Sequence, residues 1–187
     1  MRLFVAVVPP PPALSQLGSA VAEVRSLPDS GRLRWADPAT WHFTLAFLGE
    51  VDEAVLPDLA ERLGRAARRH PAHELRLAGG GRFGDRVLWA GADGDVATLR
   101  ALARSTGAAA RRAGVPVDES RPFHAHLTLA RAGGGIALRP FAEALTGFRG
   151  SPWTAERLEL VRSRLPGSGV PGERPRYETV RSWELGG

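Results

Sequence analysis

The stretches Trp41-His42-Phe43-Thr44-Leu45-Ala46 and Ala125-His126-Leu127-Thr128-Leu129-Ala130 carry one pattern twice: histidine, an apolar residue, threonine, leucine, alanine. The apolar residues around each copy, closed by Gly49 and by Gly133-Gly134-Gly135, predict strands over 41–48 and 123–130. Side chains alternate faces along a strand, so His42, Thr44 and Ala46 are expected on one face and Phe43, Leu45 and Phe47 on the other. The second copy divides the same way, with His126, Thr128 and Ala130 opposite Leu127 and Leu129. A lone histidine on a half-buried strand is ordinarily a satisfied polar residue. Its repetition with a matching threonine, in a chain with five histidines, points instead to a pair. Two imidazoles titrating near neutrality suit a hydrolysis in which one group removes a proton while another delivers one, each contributing about 10²- to 10⁴-fold. Threonine hydroxyls beside them suit a shared anion.

Outward from the two motifs, 3–8 reads as a strand cut off by four prolines, and 13–27 and 53–69 read as helices from their 3.6-residue apolar spacing. Strands are expected at 74–77 and 86–90, a helix over 95–113, a short helix at 140–146, and strands near 154–165 and 176–185. Helices and strands mix without one-to-one alternation, which favours an α+β fold with antiparallel sheet. The glycines at 79–81 do not open a helix after a strand, which speaks against dinucleotide binding. At 187 residues the chain fits one domain, 1–187, that buries roughly 70% of its unfolded surface without a metal or disulfide staple.

All 25 basic side chains are arginine, and there is no lysine and no cysteine. Schiff-base chemistry, a phosphate-loop lysine, a lysyl-adenylate and a thiol nucleophile are therefore excluded. The formal charge of +5 is compatible with an anionic partner. The apolar run after Met1-Arg2 is shorter than a signal-peptide core, so a cytoplasmic protein without a membrane span is expected.

His124 and His126 form an H-x-H, but no further ligand stands at a recognisable spacing, and no metal is expected. His70 and His73 lie in a polar connection and are expected in solvent. Arginines on the predicted helices read as solvated faces. Arg34, Arg82, Arg121, Arg131 and Arg164 flank strands, and some of them should line a groove. Trp35, Trp41, Trp89 and Phe4 are more in keeping with core than with base stacking.

The tandem His42-Phe43-Thr44-Leu45 and His126-Leu127-Thr128-Leu129 resembles the signature of the two-histidine phosphoesterase superfamily. The flanks HFTLAFLGEV at 42–51 and RPFHAHLTLAR at 121–131, with the tail from LVRSRL to RPRYETVRSW, resemble the bacterial and archaeal RNA 2′,3′-cyclic phosphodiesterases, formerly named 2′-5′ RNA ligases. The resemblance implies a bilobal α+β fold with pseudo-twofold symmetry, two antiparallel sheets with helices outside and a central groove. It further implies that His42 and His126 are catalytic, as acid and base respectively, that Thr44, Thr128 and Arg131 bind substrate, and that neither metal nor cofactor takes part. The implied substrates are RNA 3′ ends or tRNA fragments carrying a 2′,3′-cyclic phosphate, opened by a monomer to a 2′-phosphate. ATP-independent 2′-5′ end joining, or hydrolysis of another small cyclic phosphate, is the alternative. Simple alternation sets Arg131 on the face of Leu127 and Leu129 unless the strand bends. The first copy has Ala46 after Leu45, so the symmetry between the halves is expected to be incomplete.

Overall fold

A computed structural model describes residues 1–167 and 174–186. One sheet has the strand order β3 (Phe43–Glu50), β1 (Arg2–Val7), β8 (Arg157–Arg164), β9 (Arg176–Glu184). The other runs β2 (Arg34–Trp35), β6 (Leu127–Arg131), β5 (Val87–Gly94), β4 (His73–Phe83), β7 (Trp153–Ala155). Every pairing in both sheets is antiparallel. Helices α2 (Leu56–Arg68) and α3 (Val96–Arg112) pack against the first sheet, while α1 (Pro11–Val24) and α4 (Arg139–Leu145) pack against the second.

The helices form where the sequence supplies both a stripe and an end. In α1, Pro11 and Pro12 start the helix, where a missing N–H costs nothing, and Ala13, Leu17, Val21 and Val24 are buried along one side. Asp95 caps α3 by accepting from the Thr98 amide at 3.1 Å. The buried face of the first sheet presents Leu3, Val5, Val7, Phe43, Leu158 and Leu160 to a core continuous with that of the second sheet.

Glycine placement follows from close approach. At Gly80 a Cβ would stand 2.6 Å from the Leu145 side chain, and at Gly81 2.4 Å from the Trp89 ring. The run at 79–81 thus lets α4 and an indole lie directly on β4, and strands β4 and β5 extend through it as one long hairpin. The expected strand near 154–165 divides at Glu156 into β7 and β8, which belong to different sheets. The strand expected over 123–130 begins only at Leu127, and the segment 123–126 before it is outside both sheets. His73, expected in solvent, is buried where β4 opens against Ala155. His70 is half-buried, its Nδ1 2.9 Å from the Ala66 carbonyl.

Candidate active site

Both motifs contain a β-bulge at the same position, and it changes which side chains share a face. On β1 and β3, Ala6 pairs with Thr44 but Val5 pairs with Ala46 and Phe4 with Phe47, leaving Leu45 as the extra residue. On β5 and β6, Trp89 pairs with Thr128 but Leu88 pairs with Ala130 and Val87 with Arg131, leaving Leu129 extra. Cross-strand partners point the same way, so Phe47 joins Thr44, Ala6 and Phe4 on the groove face while Ala46 turns into the core. By the same step Arg131 joins Thr128 and Trp89. The alternation that set Phe47 with Phe43, and Arg131 with Leu127, is therefore corrected by one residue in each strand. Residue for residue, Arg131 answers to Phe47, not to Ala46.

Each histidine stands one residue before its strand, in chain already extended, and is fixed by the main chain two residues upstream. His42 Nδ1 lies 2.6 Å from the Thr40 carbonyl, and His126 Nδ1 lies 2.7 Å from the His124 carbonyl. A carbonyl only accepts, so Nδ1 carries the proton in both rings and Nε2 is the basic atom in the neutral form. The Thr40 carbonyl is itself set by the turn Pro38–Thr40, whose amide at Ala39 donates to Asp37 at 2.9 Å.

The rings are also held by aromatic side chains. His42 stacks on Phe4 with centroids 4.7 Å apart, and Tyr177 meets both rings edge-on. His126 meets Phe83 edge-on at 4.8 Å, and His124 meets Trp89 at the same separation. His42 Nε2 is 2.8 Å from Thr44 Oγ1, and His126 is the more open to solvent of the two.

Burial depresses the His42 pKa below the ordinary imidazole value, with the Thr40 carbonyl opposing and the positive charge of His126 adding to the depression. Burial likewise lowers His126, opposed by the His124 carbonyl and reinforced by the charges of His124 and Arg131. Burial also raises the carboxyl of Glu159, which pairs with Ala6 on the groove face.

The remaining expected groove residues divide. Arg82 bridges to Asp85 at 3.6 Å and Arg164 to Glu178 at 3.0 Å. Arg121 is exposed in the segment before β6. Arg34 pairs with Arg131 across β2 and β6. Trp35 and Trp41 are core, whereas Phe4 and Trp89 pack on the histidines. Sequence reasoning missed Phe47, Tyr177, Phe83 and Glu159. Phe47, 68% exposed, is the kind of large apolar surface residue that draws notice, but its face depended on the bulge. Among the described residues, no three His, Asp or Glu side chains are grouped to hold a metal.

Three comparisons bear on this geometry. Residues 7–89 and 92–171 match the model of the LigT-like phosphoesterases. The chain is 34% identical over 163 residues to the RNA 2′,3′-cyclic phosphodiesterase of Escherichia coli, covering 84% of this chain and 82% of that protein. It is 33% identical over 158 residues to a protein of the same name from Geobacillus stearothermophilus, covering 81% of this chain but 47% of that one, so the match spans about half of the latter. The crystal structure of E. coli LigT complexed with 3′-AMP superposes with a TM-score of 0.77 at 26% identity, covering 98% and 97% of the two chains.

Proposed function

This chain belongs to the LigT-like phosphoesterase family, and from that premise we propose that it hydrolyses 2′,3′-cyclic phosphates at RNA 3′ ends to 2′-phosphomonoesters. The observation that carries the proposal is the matched pair of imidazoles. Each has Nδ1 tied to a backbone carbonyl, which leaves its Nε2 as the proton-exchanging atom, and the positive charge of His126 lowers the His42 pKa. In-line displacement at phosphorus needs a base and an acid on opposite flanks, and in this reading each motif supplies one of them.

His126, the more solvent-open ring, takes a proton from water at neutral Nε2 as the water oxygen bonds to phosphorus. The bond from phosphorus to O3′ breaks, and His42, protonated at Nε2, gives its proton to O3′. The O2′–P bond remains, leaving the 2′-phosphate. Thr44 has a double duty that follows from its 2.8 Å contact: while His42 is neutral the hydroxyl donates to Nε2. Once His42 is protonated, Nε2–H is directed to O3′ and no longer accepts, so the hydroxyl hydrogen is free to turn toward a phosphate oxygen. Thr128 stands at the matching place in the second motif, and Arg131 adds positive charge for the anionic substrate. No step uses a metal or cofactor. The enzyme acts as a monomer, as one unit over 1–187, on cytoplasmic RNA ends that include tRNA fragments. No helix among the described residues is long and apolar enough to cross a membrane.

The test is incubation with an RNA ending in a 2′,3′-cyclic phosphate in excess EDTA, with the product resolved as 2′- or 3′-phosphate. A 2′-phosphate formed at an undiminished rate supports the reading. A 3′-phosphate overturns the assignment of leaving group. Loss of activity on chelation, restored by Mg²⁺, Mn²⁺ or Zn²⁺, overturns metal-free catalysis.

A further inference from the structure

The second motif has a titratable neighbour that the first lacks. Two residues before His126 stands His124, whereas two residues before His42 stands Thr40, whose hydroxyl donates to the Asp37 carbonyl at 2.7 Å. The rings of His124 and His126 are stacked at 21° with centroids 6.3 Å apart. His124 meets Trp89 edge-on at 4.8 Å and Phe83 at 6.0 Å, and His126 meets the same two rings edge-on at 6.3 and 4.8 Å. Phe83 and Trp89 thus hold both imidazoles against one aromatic wall. His124 is exposed and His126 half-buried. The charged groups that act on His126 are His124 on its own segment and Arg131 on β6, and the charge of His126 acts in turn on His42. Strands β4 and β5 face it with Phe83 and Trp89, which carry no charge.

A neutral base beside an anionic substrate faces an electrostatic difficulty. A bound phosphate stabilises the protonated form of either ring, which suits His42 as the acid and works against His126 as the base. Arg131 opposes that pull in the free enzyme, but in the mechanism above its charge is matched by the substrate's own once phosphate is bound. We propose that His124 is a positioning residue for the base: its charge, held 6.3 Å from His126 by Phe83 and Trp89, keeps His126 neutral while phosphate is bound and drives off the proton that ring takes from water. This rests on the phosphodiesterase reading above. The proton balance of one turnover calls for such a release. His126 gains a proton from water and His42 loses one to O3′, so the enzyme is ready again only when His126 has given its proton to solvent and His42 has taken one up. Burial is the first cause of the low His126 pKa, but it lowers His42 as well and does not tell the two apart, whereas the charge of His124 falls on one side alone. Thr40 brings no charge to the side where a protonated ring is wanted.

The experiment titrates the His126 ring by NMR in the wild type, His124→Gln and His124→Arg, each free and with inorganic phosphate, and records kcat/KM against pH on an RNA ending in a 2′,3′-cyclic phosphate. Both variants keep the backbone carbonyl that holds His126 Nδ1. One charge at 6.3 Å under water-like screening moves a titration by about half a pH unit. His124→Gln should therefore raise the His126 midpoint by that amount, with and without phosphate. The kcat/KM limb belonging to His126 moves with it, the limb of His42 stays, and the rate on the acid side falls about threefold. His124→Arg, which is charged at every pH used, leaves the His126 midpoint at or below its wild-type value. An unmoved midpoint in His124→Gln overturns the proposal. So does an equal rise in both variants, which would trace the effect to packing on Trp89 and not to charge. If the wild type opens no cyclic phosphate, the phosphodiesterase reading fails, and the midpoints still decide whether His124 holds His126 neutral.

Discussion

The two lobes agree in what their backbones do and differ in what their side chains present. The bulge after each threonine, the histidine one residue ahead of the strand and the bond from Nδ1 to the carbonyl two residues back recur in both. Across the sheets, Ala6 answers to Trp89, Glu159 to Gly81, Val161 to Phe83 and Phe47 to Arg131. The shared backbone holds two imidazoles in the same tautomer. The unlike side chains make one ring deeper and hydroxyl-bonded and the other more open, so a symmetric frame holds two unequal imidazoles, as the proposed division into acid and base requires.

The largest expected effect tests whether both lobes are needed. His42→Ala and His126→Ala should each lower turnover by at least about 10²-fold while leaving far-UV circular dichroism unchanged. If either variant hydrolyses cyclic phosphate at near the wild-type rate, only one lobe is catalytic.

The threonines sharpen the comparison. Thr44→Val and Thr128→Val should each slow hydrolysis by about tenfold through a lost hydrogen bond to the substrate anion. Thr44→Val should in addition move the pH limb belonging to His42, because Nε2 loses its partner at 2.8 Å. Equal shifts in the two variants would mean that the Thr44 contact has no counterpart in function.

The pH dependence follows from both imidazoles lying below the ordinary value of about 6.5. Since kcat/KM reports the free enzyme, its bell should peak on the acid side of 6.5. The limb of kcat set by the acid should lie higher, because the bound phosphate anion stabilises the protonated ring. A kcat/KM profile centred above pH 7 would contradict the burial of the rings. Stability carries the same sign. The unfolded chain takes up protons at its histidines first as pH falls through about 6.5, so the folded state loses stability from there down through the depressed pKa values. His42→Gln should reduce that acid sensitivity of the Tm.

The smallest effects concern the Gly81 and Glu159 pair. Gly81→Ala should lower the Tm, since its Cβ would meet the Trp89 ring at 2.4 Å and overpacking costs about 1–3 kcal/mol. Glu159→Gln should raise the Tm at pH 7.5 and have no effect at pH 4. Burial raises this carboxyl, so the charged form destabilises the fold above its folded pKa, whereas both forms are neutral below the unfolded one.

The class of fold was legible, and the four motif residues stood out as candidates, because a duplicated pattern survives whatever the chain does between its copies. The faces of Phe47 and Arg131 were not, since a strand's period of two says nothing of where one residue is skipped, and Leu45 and Leu129 look like any other apolar position. The break at Glu156 was hidden for a related reason. Residues 154–165 read as one strand although the apolar positions change phase after Ala155, and only the partner strands show that β7 and β8 lie in different sheets. His73 misled because its polarity and its Pro71 neighbour suggested a loop, while its Nδ1 is 3.0 Å from the Pro71 carbonyl and the ring fills the start of β4. Arg34 drew attention only as an arginine beside a strand.

The carbonyls of Thr40 and His124 that hold the two histidines belong to the peptide chain and not to any side chain. In enzymes that orient a histidine with a carboxylate, one substitution removes the partner. Here every amino acid at position 40 or 124 supplies the same oxygen, so a substitution there leaves the tautomer in place even where it disturbs the packing of His124 on Trp89 or the bond from the Thr40 hydroxyl to the Asp37 carbonyl. What such variation must preserve is the course of the backbone. The vulnerable positions are therefore the ones that steer it, Asp37 and Pro38 before the first motif and Pro122 before the second.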